Sequence, residues 1–166
     1  MIRVISLCTG NAARSVMLGA LLRDQRPDLD VVTAGTHVID GQPISRRTRA
    51  GLAAIGLDAD HHRSAQLDPA DLEDAHLVIG MAHEHVTWMR RHHPEVAART
   101  AMIRTLARDL EQGPDPLATR VAALGLAAWT PDPIEDVIDP AGGVEDDYRR
   151  CARELADLTV SLAPRL

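Results

Sequence analysis

Val4-Ile5-Ser6-Leu7-Cys8-Thr9-Gly10-Asn11-Ala12-Ala13-Arg14-Ser15 reads as the end of a strand, a tight loop and the start of a helix. The apolar run Ile2–Leu7 has a strand's length and ends on Cys8. Arg14-Ser15 then opens a stretch rich in Ala and Leu, which predicts a helix over Arg14–Arg23. A strand that feeds a helix through a short loop is the first half of a βαβ unit. The loop's N–H groups and the helix N-terminus together can close around a tetrahedral anion.

The rest of the chain repeats this alternation. Val31-Val32-Thr33 is a short second strand, closed by Ala34-Gly35-Thr36. Ile44–Ile55 has helical periodicity and stops at Gly56, a residue suited to a helix C-terminus. His76–Gly80 is a strand of the buried type, followed by a helix over His83–His93 that Pro94 stops. A fourth strand is expected near Thr100–Ile103. Arg104–Thr130 looks helical but is broken by Gly113-Pro114-Asp115-Pro116. An Asp- and Pro-rich loop, Pro131–Gly143, leads to a final amphipathic helix over Val144–Leu162. Short strands alternating with helices imply an α/β fold, a parallel sheet with helices on both faces. Ligands of such sheets sit at the carboxyl ends of strands, where Cys8 lies.

The loop has the parts of a phosphate-handling site. The thiolate is the reactive form of cysteine, and the helix N-terminus, the loop amides and Arg14 all favour it at Cys8. Gly10 lets backbone approach an anion, and Asn11 tolerates the left-handed conformation of a tight loop. The backbone of Thr9, Gly10, Asn11, Ala12, Ala13, Arg14 and Ser15 forms the candidate phosphate cradle. Arg14 can grip two oxygens in a bidentate fork, which lysine cannot. Ser15 can donate to the sulfur and help it leave. Cys-x5-Arg-Ser alone is a weak signal in an Arg-rich chain. Gly-Asn inside the loop, with a strand before and a helix after, makes it specific.

Composition narrows the function classes. A chain of 166 residues, 45% apolar and 25% charged, is expected to be one domain over 1–166. All 18 basic residues are Arg, there is no Phe, and the net charge is −6. That charge argues against nucleic acid or an anionic membrane as partner. Any phosphate site must therefore be local. The first strand is too short for a signal sequence or a membrane span, and two distant cysteines make no disulfide framework. A cytoplasmic location is expected. His83-Glu84-His85 with His92-His93 suggests a metal only superficially, because residues two apart do not share a helix face. A solvated face is the plainer reading, and no metal or cofactor is expected. Cys151 is expected to fill core space in the last helix.

In these motifs the chain resembles the low-molecular-weight protein tyrosine phosphatase family, whose loop reads Cys-x-Gly-Asn-x-x-Arg-Ser. The likeness extends nearly end to end. Thr33-Ala34-Gly35-Thr36 is similar to the family's Ser-Ala-Gly-Thr, and Gly41-Gln42-Pro43 to its Gly-x-Pro. His62-Arg63-Ser64-Ala65-Gln66-Leu67 resembles its His-Arg-Ser-Arg-Gln-Leu, and Tyr148-Arg149-Arg150-Cys151 its Tyr-x-x-Cys. Asp139-Pro140 resembles the Asp-Pro that supplies the family's general acid. The resemblance implies a four-stranded parallel sheet in the order 2-1-3-4 and hydrolysis of a phosphorylated protein or small phosphoester through a phosphocysteine. It implies Cys8, Arg14 and Asp139 as catalytic residues, and Asn11, Ser15, Thr33 and His62 as a supporting network. A monomer is expected, with weak dimerisation left open. Asp132, which also precedes Pro, is the second candidate for the acid.

The chain departs from the family where substrate is chosen. The two aromatic walls that hold a phenyl ring are replaced by Ala141-Gly142 and by His37-Val38-Ile39. Stacking worth about 0.5–1.5 kcal/mol per pair is absent from both. Trp129 could swing in from the longer loop before Asp139, though a core or lid-anchoring role is the plainer one. Ala13 stands where many members carry a second cysteine, so Cys8 lacks a disulfide partner against over-oxidation. Ala82 stands where an acidic residue is common. Arsenate reductases share the loop but relay electrons through a resolving cysteine pair that this chain lacks. An arsenate–thiol transferase needs only one cysteine and stays open as an alternative. A phosphocysteine carrier or a phosphate-binding regulator is a second, opposed by Arg14 together with Asp139.

Overall fold

Four apolar runs pair side by side in one parallel sheet in the computed structural model, which describes residues 1–166. The strands are β1 (Arg3–Cys8), β2 (Asp30–Gly35), β3 (Ala75–Gly80) and β4 (Thr100–Met102), in the order β2-β1-β3-β4. The expected order 2-1-3-4 is the one observed. Strand β1 is central and, beyond its first residues, wholly buried, hence its continuous apolar run. Its register sets Cys8 beside Gly35 of β2 and Leu7 beside Gly80 of β3.

The period of two splits the core between the sheet's faces. Val4, Cys8, Leu77 and Ile79 face a large cluster with α1 (Arg14–Gln25), α2 (Arg46–Ala53), α5 (Ile103–Asp109), α6 (Leu117–Ala122) and α7 (Glu145–Leu162). Ile5, Leu7 and Val78 face a smaller cluster with α3 (Pro69–Glu73) and α4 (His83–His92). Val16, Met17 and Leu52 pack with Tyr148, Cys151 and Leu155, so α7 closes over α1 and α2. No helix is long and apolar enough to cross a membrane.

Several boundaries differ from the sequence expectation. Helix α2 starts later than Ile44, because Ser45 accepts the Thr48 N–H at 3.1 Å and caps it. Gly56 follows the helix at φ +75°, the left-handed geometry expected of a stop. Helix α3 has only five residues, too few for periodicity to reveal, and starts where Asp68 caps it ahead of Pro69. Within Arg104–Thr130 only two short helices form, α5 and α6, separated by the Gly-Pro segment.

Candidate active site

The loop after β1 is held by its carbonyls. Thr36 N–H donates to Cys8 O and His37 N–H to Thr9 O, each at 3.0 Å. His62 Nε2 lies 2.8 Å from Asn11 O, and since a carbonyl only accepts, that nitrogen carries the hydrogen. Thr48 Oγ1 donates to Ala12 O at 2.8 Å. None of the N–H groups from Thr9 to Ser15 donates to a backbone carbonyl. With the carbonyls turned out and engaged, these N–H groups are left for an anion.

Asn11 makes the turn possible. It is the chain's single non-glycine residue at positive φ, +49°. Its Nδ2 donates to Ser15 Oγ at 2.9 Å, and its Oδ1 accepts the Ala65 N–H at 2.9 Å. Ser15 Oγ lies 3.0 Å from Cys8 Sγ. Because that oxygen accepts from Asn11, its own hydrogen is free to point at the sulfur. Ser6 Oγ ties the helix start to β1 by donating to Ser15 O at 3.0 Å.

Arg14 is buried, and its guanidinium reaches the loop before α7. Its Nη1 donates to Val137 O at 3.0 Å and its Nη2 to Asp139 Oδ2 at 2.8 Å. The other Asp139 oxygen accepts the Ala141 N–H, while the residue stays 46% exposed on its side chain. Cys8, Gly10, Ala13, Arg14, Asp139 and Tyr148 line a cavity of about 140 Å³. Asp132 lies outside it, its carboxylate capping the turn Pro133–Glu135 through the Ile134 N–H.

The structure thus brings together Cys8, Asn11, Arg14, Ser15, His62 and Asp139. It does not bring Thr33 into the hydrogen bonding beneath the loop. Thr33 packs its methyl group on α1, where a Cβ on Gly19 would lie 2.3 Å from Thr33 Cγ2. Trp129 packs against the large core cluster and is not among the residues lining the cavity. Cys151 is buried in that cluster, and burial pushes its thiol pKa up to about 12.

The histidines correct the reading of a solvated helix face. His85 is buried; its Nδ1 accepts the Ala82 N–H at 3.0 Å, so Nε2 carries the hydrogen and donates to Thr9 Oγ1 at 3.0 Å. Burial, then the charges of Arg14 and His83, push its pKa down to about 3 and keep it neutral. Burial also lowers that of His62, against its bond to Asn11 O. Thr48 and His85 both escaped the sequence reading, since only folding brings α2 and α4 to the loop. The one signal was His85 at a position that a helix beginning at His83 turns inward.

Comparison with known proteins agrees with this geometry. A family model described as low molecular weight phosphotyrosine protein phosphatase matches residues 3–166. A protein-arginine-phosphatase of Geobacillus stearothermophilus is 29% identical over 165 residues, covering 99% of this chain and 95% of the relative. A probable low molecular weight protein-tyrosine-phosphatase of Ralstonia nicotianae is 29% identical over 139 residues, covering 77% and 93%. The solved low molecular weight protein tyrosine phosphatase of T. tengcongensis superimposes with a TM-score of 0.79 at 26% identity, over 100% of both chains. With the cradle, the cysteine and the arginine in place, the chain belongs to the low molecular weight phosphotyrosine protein phosphatase family and is a phosphatase.

Proposed function

We propose that this phosphatase hydrolyses phosphorylated protein side chains in two steps through a phosphocysteine on Cys8. In the first, Cys8 Sγ attacks phosphorus in line, forming the S–P bond as the bond to the leaving atom breaks. Asp139, as the acid, gives that leaving atom its proton. In the second, water attacks phosphorus while the Asp139 carboxylate takes the water's proton. The P–S bond breaks, releasing phosphate and returning the thiolate, to which the Ser15 hydroxyl donates. Loop amides and Arg14 hold the equatorial oxygens throughout. The unpaired amides from Thr9 to Ser15, gathered around Cys8, carry this reading.

The walls favour a substrate other than phosphotyrosine, phosphoarginine first. Ala141 lines the cavity where a ring-stacking side chain would stand, and Ile39 lies exposed in the opposite loop. Two arginine phosphatases align along nearly the whole chain, at 29% and 28% identity. The unpaired thiols of Cys8 and Cys151 suit a reducing, cytoplasmic setting.

A panel of phosphoarginine, phosphotyrosine, a small phosphoester and arsenate tests the reading. Phosphoarginine peptides should be hydrolysed with the highest kcat/KM. Preference for phosphotyrosine would overturn the substrate, and arsenate–thiol exchange without hydrolysis would overturn the reaction. Cys8→Ser should lose at least about a thousandfold in kcat, as losing a nucleophile does, yet keep oxyanion binding.

A further inference from the structure

Helix α4 begins without an N-cap side chain to accept its first N–H groups, although His85 takes the Ala82 N–H. Ala82 stands at the N-cap position and has no side-chain oxygen, while the first N–H groups of a helix need acceptors. The acceptor comes from the loop that carries Asp139. Asp136 Oδ1 takes the His83 backbone N–H at 2.7 Å, and Asp136 Oδ2 lies 2.8 Å from His83 Nδ1. A carboxylate there also opposes the positive end of the helix dipole.

The next residue continues the docking. Val137 N–H donates to Met81 O at 2.8 Å, Val137 O accepts from Arg14, and the side chain is fully buried. Ile138 is 79% exposed, and Asp139 follows. On the far side of Asp139 the chain turns at Gly142 with φ +81°. Besides Arg14 and the Ala141 N–H, which hold its carboxylate directly, Asp139 is anchored upstream through the backbone at Asp136 and Val137. The turn that Asp136 caps also carries His85, which bonds Thr9 of the phosphate loop. One turn of α4 thus ties the two halves of the site together.

We propose that Asp136 is a positioning residue of this phosphatase. It supplies the cap that Ala82 lacks, and the cap sets the distance from Asp139 to the leaving atom. The proposal rests on Asp139 serving as the acid. A purely structural cap would, when lost, depress all substrates alike. A cap that aims the acid should depress only those whose leaving group needs a proton.

Asp136→Ala, Asp136→Asn and Asp139→Ala are compared on p-nitrophenyl phosphate and phenyl phosphate, with orthovanadate inhibition as the readout of the cradle. For Asp136→Ala, kcat/KM on phenyl phosphate should fall about tenfold, part of an acid's hundredfold or more, and that on p-nitrophenyl phosphate less than about twofold. Vanadate inhibition should be unchanged. Asp136→Asn, which keeps an oxygen for the His83 N–H, should recover most of the loss. Equal losses on both substrates, or weakened vanadate inhibition, would overturn the positioning role. Should Asp139→Ala be selective for phenyl phosphate and Asp136→Ala not, the positioning role alone falls. A non-selective Asp139→Ala removes the acid assignment and this proposal with it.

Discussion

Asn11 concentrates the requirements of the phosphate loop in one side chain. It turns the backbone at φ +49°, donates to Ser15 and accepts from Ala65, and its carbonyl holds His62. Asn11→Ala loses two buried hydrogen bonds at about 1 kcal/mol each and leaves an alanine in a conformation that costs about 1–2 kcal/mol. Urea unfolding should report a loss of about 3 kcal/mol, with weaker vanadate inhibition because Ser15 is freed. Single residues of this kind were legible in the sequence where their role is local. Cys8, Asn11, Arg14 and Ser15 lie within one turn-and-helix, and spacing alone relates them. Asp139 could be told from Asp132 in the sequence by the family resemblance of Asp139-Pro140 and by its place beside Gly142-Gly143 before the last helix. Folding makes the difference physical, because Asp132 caps its own turn and Asp139 meets Arg14. Thr33 and His85 show the converse, since their neighbours come from α1 and from the phosphate loop, and no spacing along the chain encodes either.

At the scale of elements, β2 and the phosphate loop approach each other through Gly35. A Cβ there would lie 2.5 Å from Thr9 O and 3.0 Å from Asn11 N, both backbone atoms that cannot swing aside. Gly35→Ala should therefore cost about 2 kcal/mol and displace the loop, as overpacking of a tight contact does. Thermal unfolding checks the first part, and kcat/KM on p-nitrophenyl phosphate the second; unchanged activity would show the loop able to yield. Strands were legible because a buried parallel sheet needs uninterrupted apolar runs. The short helices were not. Pro69–Glu73 owes its existence to the Asp68 cap and to Leu72 packing under the sheet, and five residues are too few to display a helical period. Helix α4 was found, but its missing cap sits on a loop that follows about fifty residues later in the chain.

For the molecule as a whole, a buried histidine, His85, and a half-buried one, His62, make folding sensitive to acid. The fold lowers the pKa of His62 and takes that of His85 from 6.5 to about 3. Below about pH 6.5 the unfolded chain binds protons that the folded chain refuses, so stability is full above that pH and falls as pH decreases. For His85 the loss continues down to about 3. The melting temperature should decline on acidification from about pH 7 to 4, and His85→Gln should show a shallower decline. An equal slope in both proteins would assign acid sensitivity to other groups. The pairing of Arg14 with Asp139 has a consequence at the same scale. In a chain of net charge −6, the resting site has a buried cation already neutralised by its own carboxylate. It cannot act as a beacon for anions. It works as an ion exchanger: an incoming phosphate competes with Asp139 for Arg14, and in the proposed mechanism the released Asp139 must take up a proton before it can serve the leaving atom as an acid.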